Sequence, residues 1–194
     1  QIGSNVEMLA KWDGTAWSNV QPAGPVGGFT INGAYDSVRN TVVLPASDGS
    51  GLSTFSWDGS QWHRSTPFGR LRSMPGIAAA YHAPSHAIVT FGGDPGGYGQ
   101  PTADSFEYRR SGWQLLTPAT TPGARGYAAM ATEPSGDVLL MGGRNLNALG
   151  DTWRWNGTTW TQLAPATNPT PRSQHAMATD AGRNRIVLFG GQNA

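Results

Sequence analysis

The chain contains no cysteine and only one lysine, Lys11, among its 194 residues. Without thiols it can form no disulfide, no thiolate nucleophile and no cysteine-ligated zinc or iron–sulfur centre. Charge is also scarce: Asp, Glu, Lys and Arg make up 13% of residues and the formal net charge is +1. No basic stripe is available to follow a phosphate backbone, so nucleic acid is not an expected partner. No apolar run reaches the ~18 residues of a membrane-spanning helix, and none near the start resembles a secretion signal. A first residue of Gln rather than Met leads to the expectation that an upstream segment has been removed. Together with the Gly-, Thr-, Trp- and Asn-rich composition, it leads us to expect an extracellular or periplasmic, bacterial setting. What is abundant is glycine and proline, 27 and 14 residues, which leaves little room for long helices.

An internal repeat organises the whole chain. The segments Trp12-Asp13-Gly14-Thr15-Ala16-Trp17, Trp57-Asp58-Gly59-Ser60-Gln61-Trp62, Tyr108-Arg109-Arg110-Ser111-Gly112-Trp113 and Trp155-Asn156-Gly157-Thr158-Thr159-Trp160 share one frame, and their first aromatics stand 45, 51 and 47 residues apart. Aliphatic runs ending in a small pair keep the same period: Ile88-Val89-Thr90-Phe91-Gly92-Gly93, Val138-Leu139-Leu140-Met141-Gly142-Gly143 and Ile186-Val187-Leu188-Phe189-Gly190-Gly191, with Val42-Val43-Leu44-Pro45-Ala46-Ser47 as the divergent first copy. A third landmark precedes each run: Ala34-Tyr35-Asp36, Ala80-Tyr81-His82, Ala131-Thr132-Glu133 and Ala178-Thr179-Asp180.

Each unit reads as four short strands. The first is small and alternating, suited to a crowded central axis. The second is an unbroken aliphatic run, which implies burial on both faces. The third carries large residues two apart, such as Phe55 and Trp57, on one face, and the fourth carries the second Trp. Asp13-Gly14, Asp58-Gly59 and Asn156-Gly157 predict type I′ hairpin turns between strands three and four. Four short antiparallel strands per unit of about 45–50 residues is the signature of a β-propeller. We therefore expect an all-β fold, a single domain over residues 1–194 with four four-stranded antiparallel blades.

The Gly-Gly doublets, the later aromatic pair and the Pro-containing entries Pro122-Gly123-Ala124-Arg125 and Pro169-Thr170-Pro171-Arg172 resemble kelch repeats over essentially the whole chain. The first unit departs from the pattern, with Pro45-Ala46-Ser47 in place of the aromatic-Gly-Gly and Gly28 in place of the Arg. The chain begins with strands three and four and ends with strands one and two. Residues 1–20 and 172–194 are thus expected to share one blade, with the others spanning about 21–66, 67–118 and 119–171. From Gly191 through the termini to Trp12 is 15 residues, matching the 15 from Gly93 to Tyr108. Kelch rings usually have more blades, so two chains forming an eight-bladed ring, or a piece of a longer protein, stand beside the closed monomer. Kelch-containing radical-copper oxidases depend on a cysteine-linked tyrosine, which this chain cannot make.

Most carboxylates fall at repeated turn positions, where Asp caps the backbone two residues on: Asp13 and Asp58, then Asp36, Glu133 and Asp180. Asp104 and Asp151 open strand three, leaving Asp48 and Asp94 as candidate functional carboxylates in long loops. His82 and His86 have helical metal-ligand spacing, but Ala83-Pro84-Ser85 between them is a turn. No Gly-x-Ser-x-Gly elbow is present, and no metal or cofactor is expected. The periodic Trp residues read as packing between blades, whereas Tyr98 and Tyr127 lie off that frame.

Binding residues of such a fold belong in its unequal loops. The links from strand two to strand three differ most, and they share a face with the entries to strand one, which carry Arg70, Arg72, Arg125 and Arg172. Arginines converging on an axis favour a carboxylate or another planar anion. The candidate ligand-binding residues are Arg125, Arg172, His175, Tyr127, Tyr98 and Asp94, with Arg144, Asn145, Asn147 and Gln192 adding polar groups. The expected function is a non-enzymatic binding module for a protein or glycan, as monomer or homodimer. A propeller-type hydrolase or lyase acting on carbohydrate is the alternative.

Overall fold

A computed structural model describes residues 9–20, 32–47, 52–65, 74–95, 99–110 and 112–193. Its strands, in chain order, are β1 (Leu9–Trp12), β2 (Trp17–Val20), β3 (Ala34–Asp36), β4 (Thr41–Ser47), β5 (Leu52–Trp57), β6 (Trp62–Ser65), β7 (Ala78–His82), β8 (Ala87–Phe91), β9 (Ser105–Arg109), β10 (Gly112–Leu116), β11 (Ala129–Thr132), β12 (Val138–Met141), β13 (Thr152–Trp155), β14 (Trp160–Leu163), β15 (Ser173–Asp180) and β16 (Arg185–Gln192). One 3-10 turn, Ala181–Arg183, is the sole helical element among the described residues, and no helix there is long and apolar enough to cross a membrane. Among the described residues all pairings are antiparallel between consecutive strands, giving three four-stranded sheets, β3–β6, β7–β10 and β11–β14, and two hairpins, β1–β2 and β15–β16.

The all-β expectation therefore holds, but the fourth four-stranded sheet is present as two separate hairpins. Within each complete sheet the second and third strands are joined by a short link. Pairing β16 with β1 would instead close a loop of nearly the whole chain, which costs about 2.5 kcal/mol more in chain entropy than a link of some ten residues.

The aromatic pairs face each other across the hairpins: Trp12 pairs with Trp17, Trp57 with Trp62, Tyr108 with Trp113 and Trp155 with Trp160. Their ring centroids lie 5.2–5.5 Å apart. The turns differ from the type I′ expectation. Gly14, Gly59 and Gly157 have positive φ, but Asp13, Asp58 and Asn156 do not. Each turn is a four-residue loop in which the Asp or Asn side chain accepts two backbone N–H groups; Asp13, for example, accepts from Thr15 and Ala16 at 2.8 Å each. The side-chain acceptor stabilises the loop in place of a second left-handed residue.

Two cores fill the seams between adjacent sheets. Met74, Ile77, Ala79, Tyr81, Ile88, Phe106 and Trp113 join Ala34 and Val43 in one, while Ala78, Ala80, Val89 and Phe91 join Met130, Leu140, Trp155 and Trp160 in the other. Alternate residues of β7 and β8 thus enter opposite seams, which is why both strands are buried along their whole length, the polar His82 and Thr90 included. Phe91 packs edge-on against Trp160 with centroids 5.4 Å apart.

Backbone clasps join each sheet to the next entry segment. Gly93 N donates to Arg125 O at 3.0 Å, and Gly143 N donates to Arg172 O at 2.9 Å. The preceding glycines are required there: at Gly92 and Gly142, both at positive φ, an added Cβ would lie 2.1 Å from Arg125 O and 2.5 Å from Arg172 O. Strand β7 lies beside β3 and β11, and β11 lies beside β15. These four first strands together line one cavity of about 530 Å³.

Candidate functional site

At the opposite, starting ends of the same strands is a second cavity of about 410 Å³, lined by Asn32, Gly76, Tyr127, Ala128, Gln174 and His175. Its rim has a regular origin. Gly76, Tyr127 and Gln174 occupy the same frame position, and all three are left-handed, with φ of 73°, 59° and 58°. Tyr127 N donates to Gly76 O at 2.7 Å and Gln174 N donates to Tyr127 O at 2.9 Å, so this backbone turn passes from unit to unit. Glycine adopts the conformation freely, whereas a bulky residue pays of order 1 kcal/mol. The third and fourth units nevertheless place Tyr and Gln there, and strain of this kind is concentrated at functional sites.

The next frame position holds Ile77, Ala128 and His175. In the second and third units it is an apolar core residue. In the fourth it is an imidazole only 7% exposed, and neither ring nitrogen has a hydrogen-bond partner among the described residues. Burial lowers the His175 pKa and the Arg172 charge lowers it further, while the nearby Met141 carbonyl works the other way without making a well-formed hydrogen bond. His175 is therefore neutral at pH 7, offering one donor and one acceptor.

Tyr127 also borders a smaller cavity of about 70 Å³ with Asp94, Gly99, Pro101, Gly126, Arg144 and Asn145. The Arg144 guanidinium stacks on the Tyr127 ring, 4.9 Å from its centroid, an arrangement favoured by the ring quadrupole. The Asp94 carboxylate accepts from Gly99 N at 2.7 Å and Gln100 N at 3.0 Å, so it organises its own loop.

Neither Arg125 nor Arg172, both anticipated as anion-binding groups, lines these cavities. Arg125, 2% exposed, donates to Gly123 O, Gly142 O and both oxygens of Asp151, the last at 2.5 and 2.8 Å. Four of its five N–H groups are thereby committed to the scaffold. Burial alone would raise the Asp151 pKa, but hydrogen bonds from Arg125 and Trp153 outweigh it and hold that carboxyl below its ordinary range. Arg172 repeats the pattern in a more exposed setting, donating to Thr170 O and Gly190 O at 3.1 and 2.9 Å.

Of the six anticipated residues, then, His175 and Tyr127 meet in one cavity and Asp94 and Tyr127 in another, while Arg125 and Arg172 are structural ties. Tyr98 lies outside the described residues, as do Asp48, Arg70 and Arg72. Sequence reading missed Asn32, Gly76 and Gln174; superposing the entry segments two residues past the Arg position would have exposed the last two. His82 and His86 do not converge on a common ligand: His82 bonds Ser85 at 2.6 Å, and His86 bonds Tyr81 at 3.2 Å. Among the described residues no three metal-binding side chains cluster. The turn carboxylates are engaged locally, Asp36 with the N–H groups of Val38 and Arg39, and Glu133 with Arg154. In comparison with known proteins, the chain matches no family model and no curated sequence.

Proposed function

We propose that this chain is a kelch-type β-propeller of four blades, the fourth completed by pairing of β16 with β1, and that it is a binding module for a glycan or protein ligand seated where the inner strands begin. The fold reading is supported by the cavity that all four first strands line, and by what the two hairpins leave uncovered. Phe189 is 82% exposed where its counterpart Phe91 is 1% exposed, and Trp12 and Trp17 are 49% and 70% exposed where Trp155 and Trp160 are each 1% exposed. Apolar residues that are core in complete sheets thus stand open on both incomplete ones, as two halves of one blade would.

The functional reading is carried by His175, a buried imidazole with no well-formed hydrogen bond to the described residues, at the rim of a cavity and in a position that other units fill with Ile or Ala. Leaving such a group unpaired costs about 1–3 kcal/mol, a cost a bound ligand would remove. Amides, a phenol and a neutral imidazole make a hydrogen-bonding surface, and no carboxylate among the described lining residues stands ready as an acid/base partner for His175. Screening the intact chain on glycan and peptide arrays tests the proposal. Retained hits that vanish in a folded Tyr127→Gly/His175→Ala variant are expected. Blank arrays, or hits indifferent to that variant, would overturn it, and carbohydrate turnover lost with His175→Ala would replace it with the hydrolase or lyase reading.

A further inference from the structure

We infer that the 410 Å³ cavity takes one neutral, hydroxyl-rich sugar residue, with His175 as its buried hydrogen-bond partner. This rests on the binding-module reading and names its ligand class. The cavity volume lies in the range of small-molecule sites. Its described lining carries no formal charge at neutral pH: two amides, a phenol and an imidazole sit among glycine and alanine. Hydroxyl groups are donor and acceptor at once, and each of these side chains can answer both roles. Asn32 already donates to Ile77 O at 3.2 Å, leaving its carbonyl oxygen without a partner among the described residues. Gln174 accepts from Gln192 at 2.7 Å, leaving its own amide nitrogen similarly unengaged.

Charged ligands fit less well. An anion would need an arginine in the lining, and among the described residues none lines this cavity: Arg125 is neutralised by Asp151, Arg172 donates to Gly190 O and Thr170, and Arg144 borders the neighbouring cavity. A cation would need a carboxylate, and Asp94 is occupied by its own loop in the neighbouring cavity. His175 borders the cavity with both nitrogens held out of bulk water. The imidazole χ2 torsion is soft, so ring rotation can turn a nitrogen toward a sugar hydroxyl. The Tyr127 ring, braced from one side by Arg144, supplies an aromatic wall for the C–H face of the sugar.

The experiment titrates the intact chain with methyl glucoside, methyl galactoside, methyl mannoside and N-acetylglucosamine, and in parallel with glucuronate and glucosamine. It follows the imidazole proton–nitrogen correlations of His175 and the binding enthalpy. At least one neutral sugar is expected to shift the His175 ring signals and to bind at least tenfold more weakly to His175→Ala. That variant installs the residue the third unit already carries as Ala128, so it should fold, and its melting curve checks this. Equal affinity of wild type and a folded His175→Ala, preference for glucuronate or glucosamine, or the absence of any His175 shift would overturn the inference. If array hits on the entry face persist in any of those cases, the binding-module reading survives alone. Blank arrays remove both.

Discussion

The Trp160 indole donates to the Ser105 hydroxyl at 3.1 Å across the seam between neighbouring sheets, with both residues buried. Trp113 makes the same contact with Thr54 one sheet earlier. Ser105 and Thr54 each open the large-residue pair of strand three, so the contact is a property of the repeat. Trp160→Phe keeps an aromatic ring against Phe91 but removes the donor and leaves a void. It should destabilise the fold by about 2 kcal/mol, readable as a lowered urea midpoint with an unchanged slope. A loss below a few tenths of a kcal/mol would show the bond to be incidental.

The same register extends to the proposed closure. In complete sheets Val138 pairs with Trp155 and Met141 with Thr152, so by analogy Ile186 would face Trp12 and Val187 would face Lys11. A Lys11→Cys/Val187→Cys chain is expected to form an intrachain disulfide under mild oxidation, seen as a faster-migrating monomer on a non-reducing gel. A predominantly dimeric crosslink would point instead to two chains exchanging hairpins. Absence of either product would argue against the pairing, since bridged Cα atoms must come within about 7 Å.

Arg125 and Arg172 occupy equivalent positions but differ in burial and in having a carboxylate partner, and that difference should be measurable. Arg125→Ala leaves Asp151 without its bidentate donor and is expected to cost about 2–4 kcal/mol. Arg172→Ala, at a half-buried site with no carboxylate partner among the described residues, should cost less, about 1 kcal/mol. Chemical unfolding of both variants, with Asp151→Asn completing a double-mutant cycle for Arg125, checks this. Equal losses at the two positions would contradict it.

Two buried histidines set a pH response. Burial lowers the pKa of His82, partly offset by the Asp137 carboxylate 3.6 Å from its Nε2, and burial together with Arg172 lowers that of His175. The unfolded chain begins to protonate both near the ordinary value of 6.5, whereas the folded chain resists. Their contribution is therefore fully present above that pH and declines as pH falls below it, with a slope of at most about 2.7 kcal/mol per pH unit for two protons. Asp13, held at about 2 from 3.8 by the N–H groups of Ala16 and Thr15, acts only in a lower, separate window. Melting temperatures from pH 7 to pH 5 should fall less steeply in His175→Ala. An unchanged slope would show that His175 protonates as readily in the folded chain.

The strand count of the complete units, the hairpin positions and the two-faced burial of β8 were legible because each follows from local pattern: period two, an aromatic pair five apart, an unbroken aliphatic run. The destination of the Arg125 side chain was not, because a guanidinium at a loop entry suits a ligand anion and a neighbouring carbonyl equally well. Only the distance to Asp151 and Gly142 decides. The left-handed backbone at Tyr127 and Gln174 was hidden for the opposite reason, since neither residue type announces positive φ as Gly76 does. His175 was legible as a candidate, yet its lack of partners is a property of surroundings contributed by other units.

The clasps from Gly93 to Arg125 and from Gly143 to Arg172 each span one seam and no more. Such a molecule is coupled like links rather than like a sphere: a lesion at one unit is felt at its neighbour and fades beyond it. Duplicating a whole unit would carry its clasp with it, and a residue added within a link between strands would leave the strand pairings and the clasps on either side in place. In these terms the repeat is the unit of heritable change as well as of packing, and its loops are where such a chain can vary without losing its hold on the next link.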